Sequence, residues 1–282
     1  MIGQTERILE LKRLRENQNE PGLNKIFAFT SGKGGTGKTF LSLNVAYSLA
    51  EQGKKVLFVD LDSNLSNANI MLNIVATKTI YDFYTEKKLL KDVITEVNPN
   101  LHFVFGDSGK LNYPDAHDGL IFKLHSQIIS LQNAYDFIFF DTGSGAGKSI
   151  VNILLKAGSV VIVTSPEPTA VMDSYVMLKL LNAANFKGEK FVIVNKSIGE
   201  DDGRSTFNNL SIAADHFLKN SLTYLGNVQF DMVVSKSIID QELVIKKHPE
   251  SEVSKQIKGI GDSINEITHM ANIHHTAIIQ HH

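Results

Sequence analysis

Gly32-Lys33-Gly34-Gly35-Thr36-Gly37-Lys38-Thr39 follows directly on the apolar run Lys25 to Thr30 (KIFAFT) and opens a helical pattern that runs to Gln52. The octapeptide satisfies G-x-x-x-x-G-K-[ST] in the strand-then-helix setting that gives the pattern its meaning. Its glycines let successive backbone N–H groups converge on phosphate oxygens at a helix N-terminus. Lys38 can neutralise the outer phosphates, and the Thr39 hydroxyl can ligate Mg²⁺. A Gly-rich turn that holds no nucleotide is the alternative, and the full context argues against it.

Working outward, four further apolar runs stand at helix-length separations: Lys55 to Val59, Tyr135 to Phe140, Ser159 to Thr164 and Lys190 to Val194. Near-continuous β-branched and aromatic runs suit strands buried on both faces. Leu101 to Phe105 and Thr223 to Val228 are weaker candidates. Helical patterns over Lys38 to Gln52 and Val171 to Ala184 alternate with these strands, which predicts an α/β fold: a doubly wound, mostly parallel sheet with helices on both faces. Ligands of such a sheet sit at the carboxyl ends of its strands. Residues 1–20 read as an amphipathic helix (4 to 17) and linker, ended by the breaker Pro21-Gly22. Residues 21–253 read as the nucleotide-binding domain. Residues 254–282 read as an amphipathic helix and tail, with Ile257, Ile260, Ile264 and Ile267 at helical spacing.

Composition narrows the function. The 282 residues are 43% hydrophobic and 21% charged, which suits a protein with a substantial core. With 28 Lys+Arg against 30 Asp+Glu, no bulk field argues for nucleic acid as a partner. The absence of Cys excludes disulfides, thiolate zinc sites, iron–sulfur clusters and cysteine nucleophiles, and with them the redox relatives of this loop. A reducing, cytoplasmic setting is the expectation. No stretch approaches the roughly 18 apolar residues of a membrane span, and the N-terminus lacks the apolar run of a secretory signal.

The second lysine, Lys33, makes KGGTGKT resemble the deviant Walker A loop of the MinD/ParA class of P-loop ATPases. The resemblance implies ATP and Mg²⁺ as cofactors, contacts from Gly34, Gly35, Thr36, Gly37, Lys38, Thr39 and Phe40, and a homodimer formed when ATP is bound. Lys33 would cross that interface to the partner's phosphates, acting with Lys38 in catalysis. Asp60-Leu61-Asp62-Ser63-Asn64-Leu65-Ser66-Asn67 resembles the family's switch I, with Asn64 in place of the usual Gly. By that likeness Asp62 orients the attacking water and Asp60 supports the Mg²⁺ shell. A helix cap or solvated turn is the plainer reading of this acidic pair. Asp141-Thr142-Gly143-Ser144-Gly145 closes an apolar strand with one acid, an arrangement suited to holding Mg²⁺ through water together with Thr39. It also resembles the switch II of the family's flagellar branch. Asn195, after the strand FVIVN, resembles the adenine-reading residue. Leu225 to Asp231 resembles the segment over the base, with Gln229 where Pro is usual. Thr164 to Pro168 (TSPEP) resembles the T-x-P-E strand end, and reads equally well as an ordinary turn.

The ends point to a branch. Gln4 to Leu11 resembles, loosely, the D-Q-A-x-x-L-R segment of the FlhG (FleN, YlxH) family, which regulates flagellar number. The likeness implies action of this helix on a GTPase of the FlhF type. It also implies peripheral contact of the C-terminal helix with the inner face of the cell membrane, but that face carries His269, His274, His275, His281 and His282 rather than a row of Lys and Arg. Docking on the core is the other reading. Positioning or partition ATPases of the MinD or ParA branch, and a nucleotide-binding scaffold without turnover, are the alternatives for the whole chain.

Overall fold

The structure is a computed structural model that describes residues 23–62, 67–86, 88–107 and 118–279. Eight strands form one sheet in the order β3-β4-β2-β5-β1-β6-β7-β8. They are β1 Ile26–Thr30, β2 Val56–Leu61, β3 Thr95–Asn98, β4 Leu101–Val104, β5 Phe137–Thr142, β6 Ser159–Thr164, β7 Glu189–Ser197 and β8 Thr223–Gln229. Every pairing is parallel except β3 with β4. The helices, in chain order, are α1 Lys38–Glu51, α2 Ala68–Met71, α3 Ile80–Thr85, α4 Asp118–Leu131, α5 Lys148–Leu154, α6 Pro168–Ala183, α7 Glu200–Leu218, α8 Met232–Ile239, α9 Val244–Lys247 and α10 Glu252–Ile279.

The period of two along each strand divides the core into two layers. On β1, Ile26 and Ala28 face a layer closed by Ile121, Leu124 and Ile128 of α4, Met177, Leu178 and Leu181 of α6, and Leu210 of α7. Phe27 and Phe29 face the other, closed by Leu41, Val45 and Leu49 of α1 and by Val253, Ile257, Ile260 and Ile264 of α10. Phe58 and Phe103 stack there with centroids 4.5 Å apart, and Phe29 meets Phe139 at 4.9 Å. Each such ring, fully buried, contributes about 1.5–3 kcal/mol from area alone. This is the doubly wound α/β architecture that the sequence predicts.

Two features position the site. The chain leaves β1 for β2 on one side and later leaves β5 for β6 on the other, so the carboxyl end of β1 lies where the winding reverses. The second feature is α10, whose apolar stripe is buried against α1 and β8. Val253, Ile257, Ile260 and Ile264, at 0–1% exposure, are part of the core rather than a free face. The expected helix over residues 4 to 17 lies outside the described residues, as do Ser63 to Ser66 of the switch I likeness.

Candidate functional site

The loop after β1 turns into α1 through Gly37, whose φ of 88° lies in the left-handed region that favours glycine. A Cβ there would also collide with the Asn195 amide, so loop and β7 can approach this closely only with glycine. The approach is fixed by two bonds: Asn195 Nδ2 donates to Thr36 O at 2.7 Å and Lys196 Nζ to Gly35 O at 2.7 Å. Lys196 itself has φ 59°, an unusual conformation for a non-glycine residue at the lip of a pocket.

Beneath the loop the acids converge. Asp60 on β2 and Asp141 on β5 are register partners, 1% and 0% exposed. Asp141 Oδ2 accepts from Thr39 Oγ1 at 2.6 Å and pairs with Lys38 Nζ at 2.8 Å, and its Oδ1 accepts from Ser42 Oγ at 2.8 Å. Lys38 also donates to Thr39 Oγ1 at 3.1 Å. Asp62 donates its backbone N–H to Asp60 Oδ1 at 3.1 Å. Its carboxylate lies beside the switch II backbone, 3.7 Å from where a Gly143 Cβ would stand. That loop is tied to the strand below, with Gly145 N–H donating to Ser31 O at 2.9 Å and Thr142 Oγ1 to Phe29 O at 3.0 Å.

Lys33 points elsewhere. Its side chain is 41% exposed, and the ammonium donates to Thr169 Oγ1 at 3.2 Å, at the start of α6, and to Glu167 Oε2 at 2.7 Å. That hydrogen bond, and then the lysine's charge, hold the Glu167 carboxyl below its ordinary value. A cavity of about 300 Å³ opens beside the loop, bounded by Gly35, Gly37 and Asn195 on one side and Gln229, Phe230 and Val234 on the other. Phe40 reaches it only at an edge, since its ring is 5% exposed.

The structure therefore brings Lys38, Thr39, Asp60, Asp62 and Asp141 together under the loop, and Asn195 beside it. It sets Lys33 apart. Sequence reasoning missed Ser42, whose signal was available: it follows Thr39 by three residues on one helix face, so it meets the same acid. It also missed Thr169 as a Lys33 partner and Lys196 as a brace of the loop.

The donor set is hard oxygen, a hydroxyl and carboxylates at one strand edge, which fits Mg²⁺. Among the described residues no cluster of three or more His, Asp or Glu forms a cage of protein ligands alone.

A profile of the family described as AAA domain matches residues 24–190. The antiactivator FleN of Pseudomonas aeruginosa is 30% identical, covering 86% of this chain and 86% of its own. The flagellum site-determining protein YlxH of Helicobacter pylori is 31% identical, covering 90% and 86%. The cell division ATPase MinD of Pyrococcus furiosus superposes with a TM-score of 0.71 at 22% identity, over 86% of this chain and 99% of that one. MinD of Pyrococcus horikoshii, solved with Mg-ADP, gives 0.69 at 23%, over 85% and 95%. The chain belongs to the MinD/ParA-type P-loop ATPases, and its fold is that of the solved MinD structures. Within that class it is most like FlhG, the branch of FleN and YlxH, both of which it matches over most of its length.

Proposed function

We propose that this chain is an ATP-gated switch that dimerises on Mg²⁺-ATP and resets by hydrolysis. The observation that carries the reading is the division of labour between two lysines of one loop. Lys38 is 6% exposed and aimed into the site, while Lys33 is turned out to the rim and held by Glu167. A cation that does not serve its own loop is available to a partner's triphosphate, and it is satisfied there only when nucleotide and partner are both present.

In this reading backbone N–H groups from Gly34 to Thr39, with Lys38, bind the phosphates. Thr39 and Asp141 hold Mg²⁺, with Asp60 supporting its shell. The ion, when bound, screens charge on the phosphates. Asp62 orients the water, Lys33 of the partner subunit stabilises the transferred charge, and Asn195 reads the base. Lys38 must exchange Asp141 for phosphate as ATP enters. Lys33 must likewise leave Glu167, a solvent-exposed pair that water screens and that therefore yields readily.

The biological role we infer is regulation of flagellar number or placement, supported by FleN and YlxH matching 86% and 90% of the chain. The N-terminal segment would act on a GTPase of the FlhF type. Any membrane contact of α10 falls to its last turns and the tail, because the earlier apolar stripe is in the core. No helix among the described residues is long and apolar enough to cross a membrane.

Light scattering in ATP and Mg²⁺ tests the switch. The wild-type chain is expected to form a dimer that ADP does not support, and Lys33→Ala to bind ATP yet remain a monomer. An ATP dimer of Lys33→Ala equal to wild type would remove the crossing role.

A further inference from the structure

The wall of the 300 Å³ cavity that faces Asn195 is the short link from β8 to α8, Gln229 to Asp231. Its inner side is anchored: Phe230 N–H donates to Ser197 O at 2.8 Å, and Asp231 caps α8 by accepting from Val233 N–H at 2.9 Å. Its outer side is anchored differently. Gln229 N–H donates to Gln256 Oε1 at 2.9 Å, a side chain from the second turn of α10. The phenyl ring of Phe230, 63% exposed, hangs from this link at the cavity edge, so small rotations of the link decide where the ring stands.

Gln256 is mounted on a rigid base. Ile257 and Ile260, the adjoining residues of the buried stripe, are 0% and 1% exposed. Ser254 Oγ donates to Val244 O at 3.2 Å, and Gln52 Nε2, at the C-cap of α1, donates to Asp262 Oδ1 at 2.8 Å. The same helix thus backs α1, which carries the phosphate loop, and holds the far wall of the cavity through one side-chain amide.

We propose that Gln256 is a positioning residue for the base-side wall of the nucleotide pocket, fixing through Gln229 where that wall stands. The inference rests on the nucleotide reading above and adds to it a residue that touches neither phosphate nor base. A link that lost this anchor would keep its bond to Ser197 but could swing outward about it, widening the cavity on the side of the base and leaving the phosphate nest unchanged. Only the part of the affinity that comes from the base is at stake.

Calorimetric titration of Mg-ADP into the full chain tests this. Gln256→Ala is expected to weaken ADP binding by roughly three- to tenfold, the equilibrium equivalent of one neutral hydrogen bond. Gln256→Glu, which keeps an acceptor at the same reach, is expected to restore it. Inorganic tripolyphosphate, which has no base, should compete with equal strength in wild type and Gln256→Ala. Gln229→Pro removes the donor, so adding Gln256→Ala to it should cost nothing further. ADP affinity within twofold of wild type in Gln256→Ala, tripolyphosphate weakening in step with ADP, or additive losses in the double variant would each overturn the proposal. Wild-type chain that binds no ADP would instead overturn the nucleotide reading itself.

Discussion

Asp141 gathers three partners at one buried carboxylate: the Lys38 ammonium and the hydroxyls of Thr39 and Ser42. Removing the cation from such a pair leaves a buried carboxylate held by the two hydroxyls, a loss that typically costs about 3–5 kcal/mol. Lys38→Ala is therefore expected to lose nucleotide binding and also to destabilise the nucleotide-free chain, toward the lower end of that range because the hydroxyls remain. Urea unfolding checks the second effect, and adding Asp141→Asn should recover most of it. Asp62 behaves differently, since water orientation is needed in the transition state and not for holding ATP. Asp62→Ala is expected to slow turnover by about a hundredfold or more while keeping the ATP dimer. A hydrolysis rate equal to wild type in a phosphate-release assay would give the water to another residue. At this scale the sequence was legible wherever chemistry forces residue type and spacing, as in Lys38, Thr39 and Asp141. It was silent where a contact depends on how two distant segments meet, as with Lys33 and Glu167, which lie 134 positions apart.

Elements were legible in proportion to their burial. The strands β1, β2, β5, β6 and β7 declare themselves because each has a central run of four apolar residues that is buried on both faces. Strand β3 (TEVN) does not, being a half-exposed antiparallel edge of four residues. Helix α7 hides for another reason: the positions it buries are Gly203, Thr206, Leu210 and Ala214, a stripe of mostly small residues that carries little hydrophobic signal. Helix α4 buries a titratable group, His125, 4% exposed with Nε2 unpartnered. Burial first, and then the charge of Lys156, push its pKa down to about 4. The folded form therefore resists protonation that the unfolded chain accepts near 6.5. This contribution is complete above that value and is lost as pH falls from 6.5 toward 4. Between pH 7 and pH 5 the loss is about 2 kcal/mol. Urea midpoints of wild type and His125→Leu at the two pH values check it: the variant should show that much less dependence on pH, and equal slopes would mean that His125 is reached by water.

For the whole molecule, the topology that places the carboxyl end of β1 at the reversal of winding also places β5 beside it and β2 next beyond β5. The acids at the ends of those two strands, Asp60 and Asp141, thus face one another in register. The described contacts that build this arrangement join β1, β2, β5, the phosphate loop and α1. Deleting residues 1–18 is accordingly expected to leave ATP hydrolysis within a few-fold of wild type. The same deletion should abolish stimulation of a cognate FlhF-type GTPase if the segment around Gln4 is the activating element. A peptide of those residues should stimulate the GTPase alone. It would bind weakly, since a helix of this length is marginal in water and must fold on its partner. The two assays separate two functions on one chain. If neither the full-length protein nor the peptide raises the GTPase rate at high micromolar concentration, the flagellar role loses its proposed partner. The ATP-gated dimer would then be left as a switch for some other positioned structure.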